Sequence, residues 1–121
     1  MSVFVDKEKK FDVYVYVSDQ DGKFFVTEDQ SKAKPDSKKL KIQFRFPTYK
    51  DNIDIGRQSV KSDGVSIQVD PVQLRYERFV KLVVSWDIDG DLQPITRDMI
   101  DVMNPELAEL IVSEMESVLG A

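Results

Sequence analysis

Apolar residues recur at every second position along part of the chain and at every third or fourth along the rest. "FDVYVYV" at 11–17 alternates without a break. Phe11, Val13, Val15 and Val17 point one way and Asp12, Tyr14 and Tyr16 the other, in the β-branched and aromatic composition that favours a pleated strand. "SDQDG" at 18–22 supplies turn chemistry, which makes "KFFVT" at 23–27 the antiparallel return of a hairpin. Residues 28–39 are polar, contain Pro35 and show no period, which predicts a mobile loop. "LKIQFRF" at 40–46 alternates again, with Leu40, Ile42, Phe44 and Phe46 opposite Lys41, Gln43 and Arg45, and predicts a third strand that Pro47 ends.

Beyond Pro47 the period lengthens. Thr48 is placed to cap a helix starting at Tyr49, with Asp51 at its third position, where a carboxylate suits the exposed amides. Its apolar stripe is Tyr49, Ile53 and Val60, and "SDG" at 62–64 ends it; "VSIQV" at 65–69 alternates but is short and ambiguous. Asp70 and Pro71 open the clearest helix, whose stripe of Val72, Tyr76, Phe79, Val80, Val83 and Trp86 carries it to about Trp86. Thr96 caps a short helix, "RDMIDVM". Asn104 and Pro105 open a last one with Leu107, Leu110, Ile111, Met115, Val118 and Leu119 on one face and Gly120 at its stop. Together these elements predict a single α+β domain over residues 1–121. An N-terminal antiparallel β-meander of about three strands in 1–47 packs with a C-terminal bundle of three to four helices in 48–121.

Composition narrows the function. A chain of 121 residues has the length of one domain, and 41% hydrophobic with 32% charged residues supplies a core, while no run approaches the roughly 20 apolar residues of a membrane span. The opening "MSVFVDKEKK" lacks the basic-then-apolar order of a secretory signal, so a cytoplasmic location is expected. Cysteine and histidine are both absent, which removes disulfides, thiolate nucleophiles, the usual zinc ligand sets and the commonest general base. A carboxylate-only site remains chemically open. No pair of acids stands in a recognisable catalytic context, so the expectation is a non-enzyme without a cofactor. Residues 1–47 carry ten Lys or Arg against eight Asp or Glu, +2, and residues 48–121 carry seven against fourteen, −7. So acidic a second part disfavours nucleic acid and anionic membrane as partners and favours a protein.

"WDIDGDLQPITRD" at 86–98 has the look of a calcium loop. With Asp87 in first place, Asp89 and Asp91 match the signature. The sixth position, normally glycine, is Leu92, the twelfth, normally glutamate, is Asp98, and Pro94 removes a backbone amide. The segment is therefore read as a connection between helices: Gly90 makes a turn, Pro94 stops the first helix and Thr96 restarts the next. No metal site is expected.

The same segment carries a resemblance. "VVSWDIDGDLQPIT" followed by "RDMIDVM" and "NPELAELIVSEMESVL" is similar to tail assembly chaperones of long-tailed bacteriophages, small acidic proteins in which a tryptophan-aspartate pair closes one helix, a P-[IL]-T stretch caps the next and an apolar helix ends the domain. "FRFPTYKD" at 44–51 resembles the segment that precedes their helical part, so the likeness covers about residues 44–119. It implies a chaperone or adaptor that binds the tape-measure or tail-tube protein in the host cytoplasm, covers apolar surface in grooves between helices and helps recruit tail subunits. The three N-terminal strands depart from the mainly helical pattern of many members. They leave open a structural virion subunit of tail, baseplate or connector that forms homo-oligomers through its β part.

The residues that would meet a partner are Tyr14, Tyr16, Trp86, Met99, Met103 and Met115. The two tyrosines form an exposed platform if the sheet is covered on one face and pack under helices if it is covered on both. Trp86 fits a packed core residue closing a helix better than an exposed anchor, and core filling is the simpler role for the methionines. The lysines of 31–39 read as a solvated loop that an acidic partner would also suit.

Overall fold

A computed structural model describes residues 3–20, 22–62 and 64–120. The alternating stretch forms the long strand β1 (Lys10–Gln20), which pairs antiparallel with β2 (Lys23–Thr27) on one side and β3 (Lys38–Arg45) on the other. Its register sets Phe11 opposite Phe44, Val13 opposite Ile42 and Val15 opposite Leu40, so both strands turn their apolar sets to one face. The expected α+β architecture is present, but the sheet has five strands in the order β2-β1-β3-β6-β7 and draws the last two from the second part of the chain.

Those two strands overturn the reading of 83–98. The helix α2 (Pro71–Leu82) stops at Leu82, and the chain passes directly into β6 (Val83–Ile88), turns at Asp89 and Gly90, and returns as β7 (Asp91–Pro94). In place of the expected connection between helices, this segment is a β-hairpin. Val83 and Trp86 fit a helical stripe by spacing. The stretch from Ser85 to Ile88 equally alternates, with Trp86 opposite Ile42 and Ile88 opposite Leu40 on the inner face and Ser85 and Asp87 turned outward. Pairing with an already apolar β3 decides between the two periods. A bulge makes the join: Gln43 faces Ser85 and Phe44 faces Val83, leaving Val84 as the extra residue.

The caps lie where the sequence places them. Thr48 Oγ1 accepts from the Asp51 amide at 3.1 Å and Asp51 Oδ2 accepts from the Thr48 amide at 2.9 Å, a capping box that starts α1 (Tyr49–Gln58). Asp70 Oδ1 accepts from the Val72 and Gln73 amides to start α2. Thr96 caps α3 (Arg97–Asp101), and Asn104 caps α4 (Pro105–Leu119), which ends on Gly120 at φ 73°. The stripe read for α1 faces the wrong way: Tyr49 and Ile53 are exposed, and the buried side is Asp51 and Ile55. The ambiguous 65–69 stretch contains β5 (Ile67–Val69), which pairs with β4 (Val60–Ser62) in a separate two-stranded ribbon between α1 and α2.

The core lies on one face of the sheet. Val13, Val15, Leu40, Ile42 and Phe44 meet Phe79 and Leu82 of α2, Ile100 of α3 and Leu107, Ile111, Val112 and Met115 of α4. Phe44 is fully buried, with its ring 5.5 Å from Phe11 and 5.8 Å from Phe79. Arg75 spans from α2 to Glu109 at 2.6 Å and Glu116 at 2.7 Å on α4, while Arg78 reaches Glu116 at 3.2 Å, so charged residues close the rim of the helical layer.

Candidate functional site

The helices cover one face of the sheet and leave the other open. On this outer face Tyr14 sits opposite Lys41 and Tyr16 opposite Lys39. The Lys39 ammonium lies 4.7 Å from the centre of the Tyr14 ring, and Lys41 in turn faces Asp87, which faces Leu92 on β7. Two aromatic rings, two lysine stems and an exposed leucine therefore cross the sheet, with Asp12, Gln43 and Ser85 below them. Tyr14 is 41% exposed and Tyr16 half-buried, so of the two placements open to the tyrosines the structure has the platform.

One end of this face is closed by the segment expected to be a mobile loop. Gln30–Lys32 forms a 3-10 turn, with Asp29 Oδ1 accepting from the Ser31 amide at 2.9 Å. Ser18 Oγ donates to Asp36 at 2.9 Å, Lys34 lies over the Phe25 ring at 5.2 Å, and Ser18 and Thr27, both on the outer side of their strands, are buried. At the same end of the strands, across the sheet from β2, the β6–β7 turn is tied to β3: the Asp89 amide donates to the Lys39 carbonyl at 3.3 Å, and Asp87 Oδ1 accepts from the Gly90 amide at 2.6 Å. The acids that resemble a calcium loop thus shape a hairpin turn.

The six residues expected to meet a partner do not form one surface. Tyr14 and Tyr16 are together on the outer face. Trp86 points to the inner face and packs half-buried against the core, with its Nε1 lacking an acceptor among the described residues. Met99 is half-buried on α3, Met103 packs on the core, and Met115 is 0% exposed at its centre, where no partner reaches it with α4 in place.

Sequence reasoning passed over two features. The ribbon β4–β5 presents Val60, Ile67 and Val69 on one side, with Lys61 and Gln68 on the other. Val60 is 44%, Val65 94%, Ile67 75% and Val69 57% exposed. Its base is firm: Ser59 is buried, its hydroxyl donates to the Ile55 carbonyl at 2.6 Å, and its own carbonyl accepts from the Asp70 amide at 2.8 Å. The alternation of "VSIQV" was the available signal. The second feature is a groove of about 860 Å³ at the start of α1, lined by Val3, Phe4, Val5 and Tyr49 and rimmed by Lys7, Lys50, Asp54 and Lys81.

Electrostatics at the root of α1 are structural. The Arg45 guanidinium bonds both Asp51 oxygens and donates to the Lys81 carbonyl at 3.1 Å, joining β3, α1 and α2. Hydrogen bonding to Arg45, with help from the Thr48 amide, holds the Asp51 carboxyl well below the usual carboxylate range. No family model, curated protein or solved structure matches the chain.

Proposed function

We propose that this protein is a non-enzymatic tail assembly chaperone or adaptor, which binds an apolar helical segment of the tape-measure protein and helps recruit tail subunits. The observation that carries this reading is the open outer face. A sheet with helices on one side presents a ready surface for a helix on the other, and burying one large apolar side chain there contributes about 1.5–3 kcal/mol. Tyr14, Tyr16 and Leu92 supply the apolar contacts, and Lys39 and Lys41 supply stems that lie along an apolar partner while their ammonium groups stay in water. The sequence likeness of residues 44–119 to tail chaperones supports the same class of partner, although Trp86 and Asp87, the pair that closes a helix in those proteins, lie in β6 here.

The test is co-expression of the chain with the tape-measure protein of the same genome. A soluble complex is expected, and the double variant Tyr14→Asp, Leu92→Asp should weaken it at least tenfold, equivalent to about 1.4 kcal/mol or more. Retention of the variant at full strength would remove the outer face from the reading.

A second reading, a permanent tail, baseplate or connector subunit, is favoured by the exposed ribbon, which is the kind of element that adds to neighbouring chains. Mass spectrometry of purified virions separates the two. A chaperone is absent from the finished particle, and a subunit is present at fixed stoichiometry.

A further inference from the structure

The open face of the sheet differs in charge from the chain as a whole. At the outward positions of β1, β2 and β3 the register sets Lys10, Lys23, Lys39, Lys41 and Arg45, with Asp12 as the one acid among them. A patch of net positive charge thus lies on a chain whose formal charge is −5. Arg45 is committed to Asp51, whereas no carboxylate among the described residues stands within ion-pairing distance of Lys39 or Lys41. Asp87 faces Lys41 across the β3–β6 pair but turns an oxygen to the Gly90 amide instead. The two lysines beside the tyrosines therefore have no counter-charge of their own.

With the outer face as the binding surface, a reading on which this proposal rests, we infer that the segment it takes is an acidic amphipathic helix. The helix lies along β1 and β3, with two carboxylates one turn apart over Lys39 and Lys41 and an apolar row over Tyr14 and Tyr16. Lys39 and Lys41 are two strand residues apart, about 6.6 Å, and so are the tyrosines on the neighbouring strand about 4.8 Å away. Helix positions i and i+4 are about 6 Å apart along the axis, so carboxylates there meet both lysines at once. Positions i+3 and i+7 form the adjoining row of the same helix and fall over the tyrosines. A basic helix sets like charges against Lys39 and Lys41, and opposite-sign surfaces are the ones that associate. The acidic helices of this chain lie a layer away behind the sheet, about 10 Å, beyond the roughly 8 Å over which charge acts at physiological salt. Single-stranded nucleic acid also combines cations with stacking rings. Here Tyr16 is half-buried and the Tyr14 ring already carries the Lys39 ammonium, so neither ring is free for a base.

The experiment is fluorescence anisotropy of three labelled helix-forming peptides of about 18 residues, each titrated with the full chain. They share one apolar row and differ at the i and i+4 positions, which hold Glu, Gln or Lys. The Glu peptide should bind about tenfold tighter than the Lys peptide, with the Gln peptide between, and the gap should narrow as salt rises from about 0.05 M to about 0.5 M. In the double variant Lys39→Glu, Lys41→Glu the order should reverse, a result that an unfolded chain does not give. Three peptides bound alike, none bound, a Lys peptide bound best by the wild type, or a Glu preference kept by the double variant overturns the inference. So does a single-stranded oligonucleotide that displaces the Glu peptide at a lower concentration than unlabelled Glu peptide does. Co-expression with the tape-measure protein separates the two levels. A complex lost in Tyr14→Asp, Leu92→Asp but untouched by Lys39→Glu, Lys41→Glu keeps the outer face and overturns the acidic helix. The expected peptide order without any tape-measure complex keeps the acidic helix and removes the tape-measure protein as its source.

Discussion

Asp51 shows how much one side chain can hold together. It caps α1 through the Thr48 amide, neutralises Arg45 on β3 and, through Arg45, fixes the carbonyl of Lys81 in the last turn of α2. Replacing it with asparagine leaves a guanidinium partly buried without its counter-charge, which costs about 2–3 kcal/mol in urea unfolding at neutral pH. The pH dependence has a definite sign. The folded carboxyl titrates below its unfolded value of about 3.9, so its contribution is fully present above that pH and is lost as the pH falls through the lower folded value. The stability gap between wild type and Asp51→Asn should therefore be constant at neutral pH and narrow in acid. Trp86 makes the opposite case. Its indole N–H is buried without an acceptor among the described residues, so Trp86→Phe removes an unsatisfied donor along with some packing area. The two effects offset, and urea unfolding should shift by less than about 1 kcal/mol. The capping box was legible because Thr48 and Asp51 interact across three residues. The bond to Arg45 was not, since it forms only after α1 folds back on β3.

At the scale of elements, local chemistry was readable wherever it was unique and misleading wherever two periods fitted the same residues. Asp70-Pro71, Thr96 and Asn104-Pro105 start helices that the structure contains. The stretch after Leu82 satisfied a helical spacing through Val83 and Trp86 and a strand spacing through Trp86 and Ile88, and only tertiary pairing with β3 selects the strand. The turn itself carried a signal that its acids concealed. Asp89 at φ 51° and Gly90 at φ 89° are the two central residues of a two-residue hairpin loop, the Asp-Gly pair that such loops favour. Gly90→Ala should thus cost about 1–2 kcal/mol through its left-handed backbone, although a methyl group there meets no neighbour. Chemical denaturation that leaves the midpoint unchanged would contradict the turn as described. The ribbon is ambiguous in the sequence for a related reason: "VSIQV" alternates over too few residues to decide a strand, and the exposure of β4 and β5 follows from projecting beyond the layers.

For the whole molecule, the division of the sequence into a β part and a helical part holds as composition and fails as architecture. The −7 part supplies two of the five sheet strands, and the chain crosses back to close the sheet at β7, where Pro94 leaves a short edge strand. The result has a helical layer on one side, an open aromatic and lysine face on the other, and an apolar arm and groove at the two ends of α1. Of this, the α+β class and the shared face of Tyr14 and Tyr16 were legible, because alternation in a long strand fixes which side chains share a face; that this face is open was not, because it depends on where the helices pack. The grouping of those tyrosines with Met115 was not, because distance along a chain does not report which face of a sheet a helix covers. The most direct measurement is size-exclusion chromatography with light scattering on the chain co-expressed with its tape-measure protein. A defined soluble complex that is lost in Tyr14→Asp, Leu92→Asp and kept in Ile67→Asp is the expected result. No complex, or a complex indifferent to the outer face, would contradict the account.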